Sequence, residues 1–420
     1  MRLKKAGLRI VSGAASAAVM AAMVLTACSG GNPPASSSSI SSSSKPASSI
    51  SQPTSSVSSS SKPVSSSSST SSSVSNSATT TPSKNDGVMW LYQKTSDSTA
   101  TLTGYNTVRG KKPTGVVALP SKVDGYTITA VGESVFYQNN DITGVIFPDT
   151  ITSIGWGAFY ECKNLSQVQF SKNLKSIGLS AFRGTAVTEL IFPQDELLIK
   201  KGAFQSNESL ERVEFRGKAT LENSEDSIFG NCSNLKSVVL SDNIIEVPDG
   251  MFNGCTSLKS VRLPKKLKTI GVVAFMNCTS LTDITIPESV NSIGASAFFG
   301  CKALNSITLP KNVKIIKEGT FCECTNLRKV TLSEGLTTIG DSAFDNNQNL
   351  KYIYLPQTLE KVGRNAFSGC KNLTDVYYGG SELSWKAITI YDAENTAAGK
   401  YIHSATKHYF ATADALNTVI

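Results

Sequence analysis

Phenylalanine punctuates the chain at Phe136, Phe159, Phe182, Phe204, Phe229, Phe252, Phe275, Phe298, Phe321, Phe344 and Phe367. Eight of the ten intervals equal 23 residues, and the exceptions are a 22 and a 25. Around each ring one hydrophobic pattern returns, I-G-x-x-A-F-x-x-C-x-x-L-x-x-V-x-L-P-x-x-L-x-x, read for instance from Ile270-Gly271 through Phe275, Cys278, Leu281, Ile284 and Ile286 to Pro287. A fixed period of this length marks a repeat architecture, because one unit is too small to bury its own apolar positions. Stacked copies bury them together, at about seven apolar positions per unit, and the product is a solenoid with one continuous core.

Inside a unit the V-x-L step has the period of two expected of a strand, with Val261 and Leu263 inward and Arg262 outward. The proline that follows ends the strand, since it donates nothing to a ladder. The A-F-x-x-C-x-x-L spacing of three predicts a helical or 3-10 turn on the opposite side. Rungs about 4.8 Å apart make eleven copies roughly 50 Å long. The organisation that follows is an opening segment at 85–130, the solenoid at 131–378 and a closing cap at 379–420.

The pattern resembles the BspA-like class of bacterial leucine-rich repeats. The flanks resemble it too: Thr101-Leu102-Thr103-Gly104-Tyr105, Leu119-Pro120 and Asp124-Gly125-Tyr126 at the front, and Val376-Tyr377-Tyr378-Gly379-Gly380, Trp385, Ile388 and His408-Tyr409-Phe410 at the back. Such ends are needed physically, because an open solenoid exposes a strand edge and its apolar core. The resemblance implies a surface-exposed binding or adhesion protein without catalytic activity.

The amino terminus adds an address. Basic Met1–Arg9 precedes an apolar Ala-rich stretch ending in Leu25-Thr26-Ala27-Cys28, so residues 1–27 read as a secretory signal. The Leu-Thr-Ala-Cys ending resembles the bacterial lipobox, which implies lipidation of Cys28 and attachment to the membrane through that lipid, on the extracellular face of the bacterial cell membrane. Residues 28–84 are rich in serine and have almost nothing apolar to bury, so they read as a disordered Ser/Pro-rich tether. As a flexible coil it reaches on the order of 40 Å, and roughly 180 Å when stretched.

Charge changes the picture by exclusion. The chain of 420 residues carries a formal net charge of +8, but seven bases before residue 85 face no acid. That leaves 33 Lys and Arg against 32 Asp and Glu in the rest, too little excess for a nucleic-acid partner. Two histidines leave little material for His-based metal or acid–base chemistry, and no cofactor is expected.

Beyond Cys28, seven cysteines (Cys162, Cys232, Cys255, Cys278, Cys301, Cys324 and Cys370) share one repeat column, three residues after Phe. Elsewhere that column holds Asn139, Asn207, Asn347 or Thr185, so it predicts a small polar side chain facing backbone groups inside the coil. Parallel Cβ atoms about 4.8 Å apart exceed the usual disulfide separation of about 3.8 Å, which favours buried free thiols. Cys322 falls off the column and reads as a surface residue, with a reactive thiol or a local bridge as alternatives.

No nucleophile, metal or phosphate-loop motif appears in suitable context, and His403 and His408 read as structural parts of the cap. The acidic group Glu222, Glu225 and Asp226 reads as a solvated loop, with calcium as the alternative. The outward strand positions form the natural partner surface, and the candidates on it are Arg262, Thr285, Thr308, Thr331, Tyr352, Tyr354 and Tyr377. The tyrosines admit two readings: an exposed contact patch, or packing beneath the closing cap near Trp385. The expected partner is an extracellular protein or glycan. A passive envelope element and an enzyme-associated carbohydrate-binding module are the alternatives.

Overall fold

The computed structural model describes residues 87–193, 195–223 and 227–417. The signal segment, Cys28, the tether, Glu225 and Asp226 lie outside these residues.

The repeats wind into a solenoid whose coils meet along three backbone seams. The first is the V-x-L ladder, whose strands run parallel in three separate sheets, from Gly115–Ala118 to Gln167–Gln169, from Glu189–Phe192 to Ser260–Arg262 and from Ser306–Thr308 to Thr406–His408. The register advances by one repeat per rung, setting Ile146 against Gln169, Val239 against Arg262 and Thr331 against Tyr354. The second seam holds strands of two or three residues ending on the isoleucine of I-G, such as Ser153–Ile154 and Ser176–Ile177, again parallel. The sequence reading has no strand here, because two residues are too few to show alternation. The third seam is the A-F turn, where Phe159 N–H donates to Ala181 and Phe275 N–H to Ala297, each at 2.8 Å.

That turn carries short-range bonds of the 3-10 kind, Cys162 N–H to Phe159 O at 3.2 Å and Leu165 N–H to Cys162 O at 3.0 Å. The predicted spacing of three is therefore present as consecutive turns, not as a helix. Proline does more than stop the strand: it opens the next corner, with Val313 N–H returning to Pro310 O at 3.1 Å. One expected rung is incomplete. The segment around Thr285 forms only an isolated bridge, Ser260 with Asp283, and the V-x-L ladder divides there.

All eleven phenylalanines are buried to within 1% and stack in a single column. Ring centroids lie 4.8–6.0 Å apart, with planes within 20° of parallel. This offset stacking suits the ring quadrupole, and truncating such a ring costs about 3–5 kcal/mol. Left-handed residues flank nearly every Phe two positions before and two after, as at Ser296 (φ 53) and Gly300 (φ 69). Ser, Asn and Gly dominate these positions because larger branched residues are strained there. Val273, at φ 48, is the exception. The glycine of I-G serves a different need: a Cβ on Gly294 would lie 2.4 Å from the backbone of Gly271 in the coil before.

The eight described cysteines are all buried. Column thiols donate to the Phe carbonyl of the preceding coil: Cys162 to Phe136 at 2.9 Å, Cys278 to Phe252 at 3.2 Å and Cys370 to Phe344 at 3.1 Å. Asn347 takes the same place with its amide, 2.9 Å from Phe321 O, so the column needs a donor of limited size. Burial pushes the Cys162, Cys232 and Cys324 thiols up to about 12. Cys322 corrects the sequence reading. It is fully buried with Met276 and Phe299, which occupy the same position of the two preceding coils, while Val273 packs beside them. The next residue in that minor column, Asp345, is 1% exposed, and its Oδ2 has no hydrogen-bond partner.

Both ends are closed. Trp90–Lys94 pairs antiparallel with Thr99–Tyr105, and Trp90 and Tyr105 place rings 6.2 and 5.8 Å from Phe136 at the start of the stack. At the other end, helix α1 (Glu382–Lys386) is capped by Ser381 and sets Trp385 edge-on to Tyr378 at 5.4 Å. Helix α2 (Lys400–Ser404) inserts Ile402, and the strand Thr406–His408 completes the ladder on Asp375–Tyr378.

Candidate functional site

The outward positions of the V-x-L ladder lie on one face, but they differ in access. Arg262, Thr285 and Thr308 are exposed, while Thr331, Tyr352 and Tyr377 are half-buried. Arg262 reaches Asp242 at 3.5 Å, an exposed pair worth little in stability. Tyr352 lies beneath the Lys351 ammonium, 4.9 Å from its ring centroid. Tyr377 stacks on His408 at 4.5 Å, and His408 Nε2 sits 2.8 Å from Asp375 Oδ1. Burial pushes the Asp375 carboxyl up, but hydrogen bonds from His408 and Thr374 outweigh it and hold the group below the usual carboxylate range. Burial raises the Tyr377 phenol, with the Asp375 charge adding to it.

Of the two readings of the tyrosines, Tyr354 follows burial beneath the closing cap: it is 2% exposed. Its hydroxyl donates to Glu334, and burial followed by that carboxylate raises its pKa. The cover is not Trp385, which packs on Tyr378 instead. A 3-10 turn at Ala413–Asn417 folds back across the strands Lys329–Thr331, Tyr352–Leu355 and Asp375–Tyr378. Leu416 is buried, and Lys329 Nζ donates to its carbonyl at 3.1 Å.

The hollows of the face lie at its centre. One cleft of about 720 Å³ runs from Asn305, Ser306 and Thr308 past Arg328 and Thr331 to Asp414 in the returning tail. A second, of about 570 Å³, occupies the divided rung between Arg262, Lys265, Asp283, Thr285 and Glu288. Four of the seven candidates therefore line clefts, and the three tyrosines do not. The tail wall at Asp414 was missed, since it lies outside the repeat pattern.

Other candidates have structural partners. Glu222 accepts the Lys201 N–H at 2.9 Å. His403 Nε2 lies 3.1 Å from the Asp392 carbonyl. Among the described residues, no group of three or more His, Cys, Asp or Glu is placed to hold a metal.

The family model for the BspA type leucine rich repeat region matches residues 129–259 and 245–374, more than half of the chain. The chain belongs to the BspA-type leucine-rich repeat family. Among solved structures it is similar to a leucine-rich repeat protein from Bacteroides ovatus, at 23% identity and a TM-score of 0.47, over 77% of this chain and 98% of that one. A leucine rich cell surface protein from Faecalibacterium prausnitzii matches at 26% identity and 0.40, over 72% and 96%. The pneumococcal vaccine antigen PcpA matches at 15% and 0.48, over 79% and 98%. The comparison with curated proteins returns no match. The BspA-type repeat thus accounts for the coil pattern, while the clefts belong to residues at variable positions of the repeat.

Proposed function

We propose that the protein is a lipid-anchored bacterial surface module that binds an extracellular protein or glycan through the centre of its strand face. The observation that carries this reading is the pair of clefts at Arg262–Glu288 and Asn305–Thr331, lined by hydroxyl, amide and charged side chains on a rigid ladder. Rigid scaffolds presenting variable side chains are suited to recognition, since little ordering entropy is lost on binding. Membership of the BspA-type family and the Leu25–Cys28 segment support surface display. Anchoring through a lipid on Cys28 rests on the lipobox-like Leu25-Thr26-Ala27-Cys28 ending.

The test is a binding screen of the full chain on protein and glycan arrays, beside a variant with Thr285 and Thr308 changed to Lys and a native thermal midpoint. Hits lost in the variant support the reading. Hits that survive, or none at all, overturn it, the second outcome favouring a passive envelope element. Anchoring is tested separately by metabolic labelling with a fatty acid, which Cys28→Ala must abolish.

A further inference from the structure

The second seam of the solenoid, away from the strand face, carries a feature that the repeat does not require. Of the three tryptophans, Trp90 packs against Tyr105 and Phe136, and Trp385 packs against Tyr378. Trp156 is 39% exposed, and among the described residues its indole has no ring or hydrogen-bond partner. It occupies the position after the I-G glycine, where other coils place Glu133, Leu179, Asp249 or Arg364, so the fold does not ask for an aromatic there.

Trp156 stands at the wall of a groove of about 780 Å³. Gly132, Gly155 and Gly178, at the same position of three successive coils, line it together with Val131, Ile154 and Leu179. Ser153 and Ser176 also line it, and Glu133 and Lys200 add a carboxylate and an ammonium. One column further round, Tyr137 (44% exposed) and Tyr160 stack face to face at 5.0 Å and 3°, with the Arg183 guanidinium 5.9 Å from the Tyr160 ring. Exposed aromatic surface is thus concentrated on the same coils as the groove.

We propose that this groove binds a linear saccharide, with a sugar ring stacked on Trp156 and its hydroxyls bonded to the flanking serine, carboxylate and ammonium groups. Sugar rings present an apolar C–H face bordered by hydroxyls, and a flat indole edged by hydrogen-bonding groups matches both. The groove is open along its length, so it offers no closed pocket for an apolar peptide side chain. A groove spanning three coils, about 4.8 Å apart, accommodates two or three sugar units of a chain.

Intrinsic fluorescence and affinity electrophoresis of the full chain test this, with cellohexaose, chitohexaose and a linear mannan oligosaccharide as probes and a denatured gelatin peptide as the contrast. The expected result is a saturable shift in tryptophan emission with at least one saccharide. Trp156→Ala should lose about tenfold or more in affinity, and Trp156→Tyr should keep most of it. Saccharide binding lost in Thr285→Lys but kept in Trp156→Ala would place the sugar in the strand-face clefts and overturn the proposal. No saccharide binding, binding unchanged in Trp156→Ala, or binding of the gelatin peptide alone would overturn the proposal.

Discussion

The thiol of Cys301 donates to the carbonyl oxygen of Phe275, 3.2 Å away and one coil earlier. The bond ties two columns that the sequence shows separately, the stacked rings and the cysteines. Removing the donor leaves a buried carbonyl without its side-chain partner and opens a small void. Cys301→Ala is expected to cost about 1–2 kcal/mol in urea unfolding, and Cys301→Ser, which retains a donor, less. An unchanged midpoint for Cys301→Ala would show that the thiol bond contributes nothing.

The buried thiols should be inert while the protein is folded. With a pKa pushed up to about 12, as at Cys232 and Cys324, about one thiol in ten thousand is ionised at pH 8. A thiol-reactive chromogen at pH 8 should leave the eight described cysteines unlabelled in buffer and label them in denaturant. Rapid labelling of Cys322 in the folded protein would contradict its burial.

Asp345 sets a pH dependence with an unusual sign. Burial lifts its pKa to about 7, outweighing a hydrogen bond from Ser368, and the Glu323 and Asp392 charges act in the same direction as burial. Between about pH 4 and 7 the folded protein holds a proton that the unfolded chain has released, so this group's contribution to stability falls as pH rises through that window. Asp345→Asn should therefore gain stability over the parent on going from pH 4 to pH 7.5, by on the order of 1–3 kcal/mol. Parallel stability–pH curves for the two proteins would refute the assignment.

Val273 holds a β-branched side chain at φ 48, where equivalent coils use Ser296 and Ser342. Left-handed backbone costs such residues roughly 1–2 kcal/mol, while Asn tolerates it. Val273 also packs beside Met276, Phe299 and Cys322, which opposes the gain. Val273→Asn is expected to raise the thermal midpoint, and Ser296→Val to lower it. If both lower it, packing outweighs backbone strain at this position.

The tail over the strand face is a further point of test. Leu416→Asp should release the Ala413–Asn417 turn, because a charge cannot occupy that buried site. Hydrogen exchange should then rise at Lys329–Thr331 and Tyr352–Leu355 and stay unchanged at Ser176–Ile177. Unchanged exchange throughout would mean that the tail does not protect those strands.

The Phe period, the V-x-L rungs and the polar role of the Cys column were legible in the sequence because each is a local pattern repeated many times. The Ser153–Ile154 type of strand was not, since its pairing partners lie 23 residues away and two residues carry no periodicity of their own. Cys322 looked exposed because it was judged alone. Met276 and Phe299 at the same place in neighbouring coils mark a second apolar column. The burial of Tyr354 depends on a tail segment whose bond to Lys329 spans 87 residues, a contact that no repeat pattern encodes. Thr308 and Thr331 pair on adjacent rungs, but the division of the ladder at Thr285 has no counterpart in the motif.

The donor column has a consequence for how the chain changes length. Each cysteine-bearing coil reaches back with its thiol, and from Phe229 to Phe344 each Phe carbonyl is itself reached by the coil that follows, through Cys or Asn347; Thr185 and Asn207 make no such bond. A coil is therefore a link with one hook and one eye. Within the cysteine-bearing coils, duplicating or deleting a whole 23-residue link rejoins hook to eye, whereas a partial insertion strands both. Growth by whole links also carries the outward side chains along as a set, so recognition surfaces can be lengthened, shortened or shuffled without redesigning the core.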